Sequence, residues 1–152
     1  MFKPLLFAAV VLTSTAANAT PTVRALFEAI KATGTEVVAD HPSVCSDPKV
    51  MGMYQYTPRV MDRLTICIQN HKGNSAELRD TVLHESVHVA QACKGGSIFS
   101  PVSLVKAADA EDVVFLNSRY PQSQFIVELE ARVIARDQDE VYVTNLIKQH
   151  CK

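Results

Sequence analysis

The sequence predicts a small α+β domain: a compact antiparallel sheet packed on a helix that carries a His-Glu-x-x-His motif, followed by a C-terminal helical part. Three observations predict it. Runs of beta-forming residues lie at 35–39, 50–57 and 63–69, the last alternating Leu64, Ile66 and Ile68 with Thr65, Cys67 and Gln69. The second half of the chain carries helical rather than alternating periodicity. With 47% hydrophobic and 20% charged residues, no repeat and no long linker, the composition fits one globular domain and excludes a disordered, collagenous or multi-pass membrane chain.

The elements follow in order. Residues 1–19 have the pattern of a secretory signal peptide: Lys3 as the positive region, an apolar run at 5–12, and Ala17-Asn18-Ala19 as a small-x-small cleavage site. The run is shorter than the roughly 20 residues a spanning helix needs, and no Cys follows the site to take a lipid. The expectation is a single domain over residues 20–152, secreted or periplasmic, with no stable membrane anchor after cleavage. Val23, Leu26, Phe27 and Ile30 set a helix over 23–32, closed at Gly34. After the strand at 35–39, His41-Pro42-Ser43 and Ser46-Asp47-Pro48 mark loops before the strands at 50–57 and 63–69. Asn74 with Glu77 three residues on resembles a capping box, and Gly95-Gly96 closes the helix it opens. Ser100-Pro101 starts another helical stretch, and a last helix is expected from Gln122 to Gln149.

Cys45, Cys67, Cys93 and Cys151 all lie beyond the cleavage site. An even count in a small exported chain favours two disulfides over free thiols, and the absence of C-x-x-C spacing disfavours a cysteine zinc site. Three pairings exist. Cys45 with Cys67 would staple the strand region and Cys93 with Cys151 would tie a helix end to the chain terminus, which is the expected arrangement.

The chemistry concentrates in His84-Glu85-Ser86-Val87-His88. Residues four apart share one helix face, so both imidazoles can reach one ion, while Glu85 is offset by about 100° and is placed to act on water instead. For this composition the motif is expected by chance about 0.01 times. Thr81, His84, His88 and Gln91 form a polar stripe between two apolar flanks, so a buried helix has to find partners for it. A Zn2+ ion held by the two histidines would acidify water and polarise a carbonyl, with Glu85 as catalytic general base. A third protein ligand is needed, and the best source is Glu128-Leu129-Glu130-Ala131 on the last helix. Glu130 sits at the centre of an apolar face formed by Ile126, Val127, Val133, Ile134 and Val141; Glu128 shares a face with Ala131 and Ala135, which would permit close helix approach. The residues themselves leave both open, along with the alternative that both are solvated charges pairing with Arg132 and Arg136.

In these two segments the chain resembles the zincin metallopeptidases, in particular the gluzincin branch, where a Glu on a later helix completes a His, His, Glu site. Gln91 and Lys94 stand where the metzincin extension would place Gly and His. Minimal gluzincin-like families carry a downstream E-x-x-A-[DN] pattern, similar to Glu128-Leu129-Glu130-Ala131-Arg132, with Arg132 departing at the last position. The resemblance implies Glu128 as third ligand, Glu130 as the alternative, and a minimal zincin-like fold. It also implies a zinc-dependent metallopeptidase acting on a peptide or protein substrate. The strand at 63–69 would be the edge along which a peptide adds, or else a covered or central strand. Two other functions stay open: a catalytically silent, disulfide-stapled binding module, and a zinc amidase acting on cell-wall peptide.

Other residues are less informative. His41, His71 and His150 are expected at the surface, and nothing selects one of Tyr54, Tyr56, Tyr120 and Tyr142 as a transition-state stabiliser. A net charge of -1 without a basic run excludes nucleic acid as a partner class.

Overall fold

The computed structural model describes residues 21–152; the expected signal peptide at 1–19 lies outside the described residues. The order is α1 (Pro21–Ala32), β1 (Glu36–Ala39), β2 (Gly52–Thr57), β3 (Met61–Ile66), a 3-10 turn (Ile68–His71), α2 (Ser75–Lys94), α3 (Pro101–Ala107), α4 (Ala110–Arg119), α5 (Gln122–Asp137) and α6 (Glu140–His150). The fold is α+β, with a three-stranded sheet and a helical second half.

The sheet order is β1-β3-β2, so β3 and not β2 lies in the middle. β2 and β3 form an antiparallel hairpin, from Thr57↔Met61 to Gly52↔Ile66, whereas β1 runs parallel to β3 from Glu36↔Arg63 to Ala39↔Ile66. The sheet is therefore mixed rather than antiparallel throughout. Residue burial explains the order: Leu64, Thr65 and Ile66 are all buried, and the strand able to lose water on both faces takes the centre. This corrects the expected substrate edge at 63–69, which is central at 61–66 and then turns away at Cys67. The edge strands are β1 and β2.

Two clusters make the core. The larger joins Leu26 and Ile30 of α1, Leu64 and Ile66 of β3, Leu83, Val87 and Ala90 of α2, Ala131, Ile134 and Ala135 of α5, and Val143 and Ile147 of α6. The smaller packs Leu104 of α3 and Leu116 of α4 on Phe125, Leu129 and Val133 of α5. Helix α5 thus stands between both clusters, with opposite faces buried.

The single last helix expected over 122–149 is two helices. The Asp139 carboxylate accepts from the Tyr142 backbone N–H at 2.9 Å, so a new helix begins where a capping residue outcompetes continuation. Glu140 in its first turn forms a two-pronged ion pair with Arg79 of α2, at 2.7 and 3.1 Å. The stretch opened by Ser100 is likewise divided, into α3 and α4.

Both disulfides are the expected ones, Cys45–Cys67 and Cys93–Cys151, and no described cysteine is free. The first pins the 40–51 loop to the end of β3, and Asn70 Nδ2 reinforces it by donating to Asp47 O at 3.0 Å and Val50 O at 2.7 Å. The second ties the end of α2 to the residue after α6. Loops of 22 and 58 residues predict losses of about 3 and about 4 kcal/mol when either bridge is removed by Cys→Ser pairs. Urea unfolding of the two double variants checks the order, and thiol titration of denatured, unreduced protein should read near zero. No described helix is long and apolar enough to cross a membrane.

Candidate metal centre

The site is built on α2. Asn74 caps it by accepting from the Glu77 N–H at 3.1 Å, and Gly95, with φ of 84°, ends it in the left-handed conformation. Between these caps the flanks Val82, Leu83, Val87, Val89 and Ala90 are buried, which turns the polar stripe inward toward α5. Ala90, Ala131 and Ala135 are all buried in the shared core, and these small side chains allow α5 to lie close to α2.

That approach brings Glu128 onto the histidine pair. Its Oε2 lies 3.3 Å from His84 Nε2 and its Oε1 3.6 Å from His88 Nε2, while the two Nε2 atoms are 3.2 Å apart. Donor atoms bound tetrahedrally at about 2.0–2.2 Å from one zinc ion stand about 3.3–3.6 Å from each other. The spacing of this set therefore matches that of a tetrahedral ion's ligands, and two imidazoles with one carboxylate is a donor set zinc accepts. Among the described residues no other group of three such side chains converges.

Glu85 stands beside this triangle without joining it. Burial is the largest influence on its carboxyl and, helped by the neighbouring charge of Glu128, holds it above the ordinary carboxylate range. His84, His88 and a hydrogen bond from the Tyr54 backbone N–H pull the other way without cancelling it. A carboxylate with raised proton affinity suits a group that takes a proton and gives it back. The close contact with β2 depends on Gly52, where a Cβ would come within 2.7 Å of Thr81 Cγ2 and 2.9 Å of Glu85 Cγ. Sequence reasoning passed over Gly52, although an isolated glycine in a strand is a known mark of close backbone approach.

Glu130, the alternative ligand, does not reach the histidines' Nε2 atoms. It is fully buried, as its position on the apolar face required, and accepts from the backbone N–H groups of Ile98 and Phe99 and from Gln91 Nε2. The two glutamates do not pair with Arg132 and Arg136. Those arginines hold Asp112 of α4: Arg132 Nε donates to Oδ1, and Arg136 Nη1 donates to Oδ2 at 2.7 Å. The Arg132 guanidinium also lies 4.6 Å over the Phe115 ring. The departure at 132 thus serves the α4–α5 contact.

His71, expected at the surface, is buried. Its Nδ1 faces Cys67 O at 2.8 Å and its Nε2 faces Thr81 Oγ1 at 3.0 Å, so it fastens the 3-10 turn to α2 one turn before Glu85. His41 bonds Ser43 and Arg63, away from the triangle. Of the tyrosines, Tyr54 has its hydroxyl committed to Asp62 at 2.9 Å, and Tyr56 stacks on it and is exposed. Tyr142 packs against the larger core. Tyr120, which caps the end of α4, is the one under the influence of the site: burial first, then the charges of Glu128 and Glu85, raise its hydroxyl above the usual phenol range.

The charges predict a pH dependence for metal uptake. Burial raises the Glu128 carboxyl, but hydrogen bonds from His84 and His88 outweigh it and bring it down to about 2, so Glu128 is ionised throughout the neutral range. Burial lowers His88, and the hydrogen bond to Glu128 with the charges of Glu85 and Glu128 outweighs that, leaving the imidazole more basic than usual. A proton retained by the metal-free fold opposes a metal that needs the neutral ring, so apparent zinc affinity should keep rising above pH ~6.5, the ordinary histidine value. Competition titrations across pH check this; a plateau beginning below that value contradicts it.

No curated protein and no solved structure matches the chain. A family model described as a domain of unknown function, DUF8637, matches residues 20–152, and the chain, matched over most of its length, belongs to that family.

Proposed function

We propose that this protein is an exported, zinc-dependent metallopeptidase of the zincin type, with His84, His88 and Glu128 as metal ligands and Glu85 as general base. The observation that carries the reading is the convergence of two Nε2 atoms 3.2 Å apart with the Glu128 carboxylate, whose Oε2 lies 3.3 Å from one and Oε1 3.6 Å from the other, with a second carboxylate beside it. A zinc ion there supplies Lewis acidity, making water acidic enough to ionise near neutral pH and polarising a substrate carbonyl. Glu85, held by the Tyr54 N–H, takes a proton from the attacking water and delivers it to the leaving amine. Tyr120, whose hydroxyl responds to the charges of both site carboxylates, is the candidate donor to the oxyanion in this reading.

The substrate edge in this reading is β2. Cys67 N donates to Met51 O at 2.9 Å, so residues 53, 55 and 57 face β3 and residues 52, 54 and 56 face outward by alternation. The outward Tyr54 N–H meets Glu85, so a peptide strand added along this edge would lie beside the general base. Export to a secreted or periplasmic location is supported by the two disulfides, which persist in oxidising compartments. The test is zinc content together with hydrolysis of a mixture of unstructured peptides, for wild type and Glu85→Gln.

A further inference from the structure

The carboxamide of Gln91 is held on both sides. Its Nε2 donates to Val127 O at 2.9 Å and to Glu130 Oε2 at 2.7 Å, and its Oε1 lies 2.7 Å from His88 Nδ1. Reversing the amide would set Oε1 against two acceptors, so its orientation is dictated by α5. Glu130 is dictated in turn. It is 0% exposed, and every group touching it is an N–H: Gln91 Nε2, Ile98 N at 2.8 Å to each oxygen, and Phe99 N at 2.6 Å. A buried carboxylate in contact with donors alone acts as an acceptor, and Gln91 must answer it with its NH2 group.

We propose that Glu130 and Gln91 form a positioning relay that fixes the neutral ring of His88 as the Nδ1–H tautomer in the metal-free chain, so that the proton a metal displaces is the one on Nε2, the atom that faces His84 and Glu128. With Gln91 Oε1 an obligate acceptor, Nδ1 has to carry the hydrogen, and a neutral imidazole has only one. Free imidazole in water has no such constraint. The relay also joins the segment after Gly95-Gly96 to the site, because Ile98 and Phe99 supply two of the donors that hold Glu130. Neither Gln91 nor Glu130 touches the triangle's donor atoms, so both are positioning residues. The consequence for affinity rests on the metal reading above; the tautomer does not.

Substitution of Glu130 gives an unusual expectation. In Glu130→Gln, the new side chain keeps its oxygen toward Ile98 and Phe99 and turns an NH2 toward Gln91. Gln91 is then pulled both ways, since Val127 O still favours its NH2 while the new NH2 at 130 favours its oxygen; the fraction that reverses presents NH2 to His88 and moves the ring hydrogen to Nε2.

The experiment is nitrogen-15 NMR of the ring nitrogens in metal-free full chain at alkaline pH, where the imidazole is neutral, paired with zinc competition titrations. Wild-type His88 should show a protonated Nδ1 and an unprotonated Nε2. Glu130→Gln should shift the population toward Nε2–H and weaken zinc binding by about 10 to 100-fold. Gln91→Leu leaves Glu130 its two backbone donors and keeps the test open if Glu130→Gln fails to fold; it should give mixed tautomers and a similar loss. A wild-type ring protonated at Nε2 overturns the relay. So do variants that keep both the Nδ1–H signature and wild-type affinity. An Nδ1–H ring in a protein that takes up no zinc would leave the relay standing and remove the metallopeptidase reading instead.

Discussion

Glu85→Gln should bind about one zinc per chain, as wild type does, and lose hydrolysis by about 10²-fold or more. The two functions divide because α2 divides them. His84 and His88 are one turn apart and bring Nε2 atoms to 3.2 Å, whereas Glu85 projects from the next position round the helix toward β2. Gln is close to isosteric, and its amide oxygen can still accept from the Tyr54 N–H that Glu85 accepts from in the native chain. What Gln cannot do is accept a proton from water. His84→Ala and His88→Ala remove a ligand from a set of three, so both should lose zinc and activity together. Elemental analysis and peptide hydrolysis on the same preparations separate these outcomes. Wild-type protein that stays metal-free when zinc is supplied would remove the hypothesis, and Glu85→Gln turning over as fast as wild type would remove the mechanism even with zinc bound. A silent binding module predicts a different result, zinc uptake with no hydrolysis by either protein, because a structural zinc site needs ligands but no base.

The parts of the fold that sequence makes legible are those decided by local chemistry. Helix α2 is legible because its caps, Asn74 and Gly95, and its ligand spacing lie within one element. The disulfide pairing is legible because each bridge closes an obvious structural span. Sheet order is not. Nothing in residues 50–57 and 63–69 says which strand is central, since that depends on burial of Leu64, Thr65 and Ile66 from both faces by elements distant in sequence. The burial of His71 is not legible for the same reason, its partners Cys67 O and Thr81 Oγ1 lying on two different elements. Gln91 is the intermediate case: its place on the polar stripe says it needs a partner, and only the packing of α5 shows that Glu130 answers it.

The two carboxylates of α5 should then behave oppositely. Glu128→Ala removes a charge that lies 3.3 Å and 3.6 Å from the two Nε2 atoms, and zinc should be lost almost as thoroughly as in His88→Ala. Glu130→Ala removes no donor atom from the triangle. It leaves the Ile98 and Phe99 N–H groups without an acceptor inside a closed core, so the larger cost falls on folding, about 1–3 kcal/mol for each unpaired buried group. Zinc affinity in that variant should drop by about 10 to 100-fold and no further, through the freed amide of Gln91. Competition with a chromogenic chelator ranks the affinities, and urea unfolding of the metal-free variants ranks the stabilities. Glu128→Ala should show the larger loss of affinity and Glu130→Ala the larger loss of stability. Helix phase had favoured Glu130 as the buried carboxylate and the downstream pattern had favoured Glu128 as the ligand, and in the structure the two indications fall on different residues because burial and metal access are different requirements. A reversed affinity ranking would move the third ligand to Glu130, and two variants with unchanged affinity would take α5 out of the site altogether.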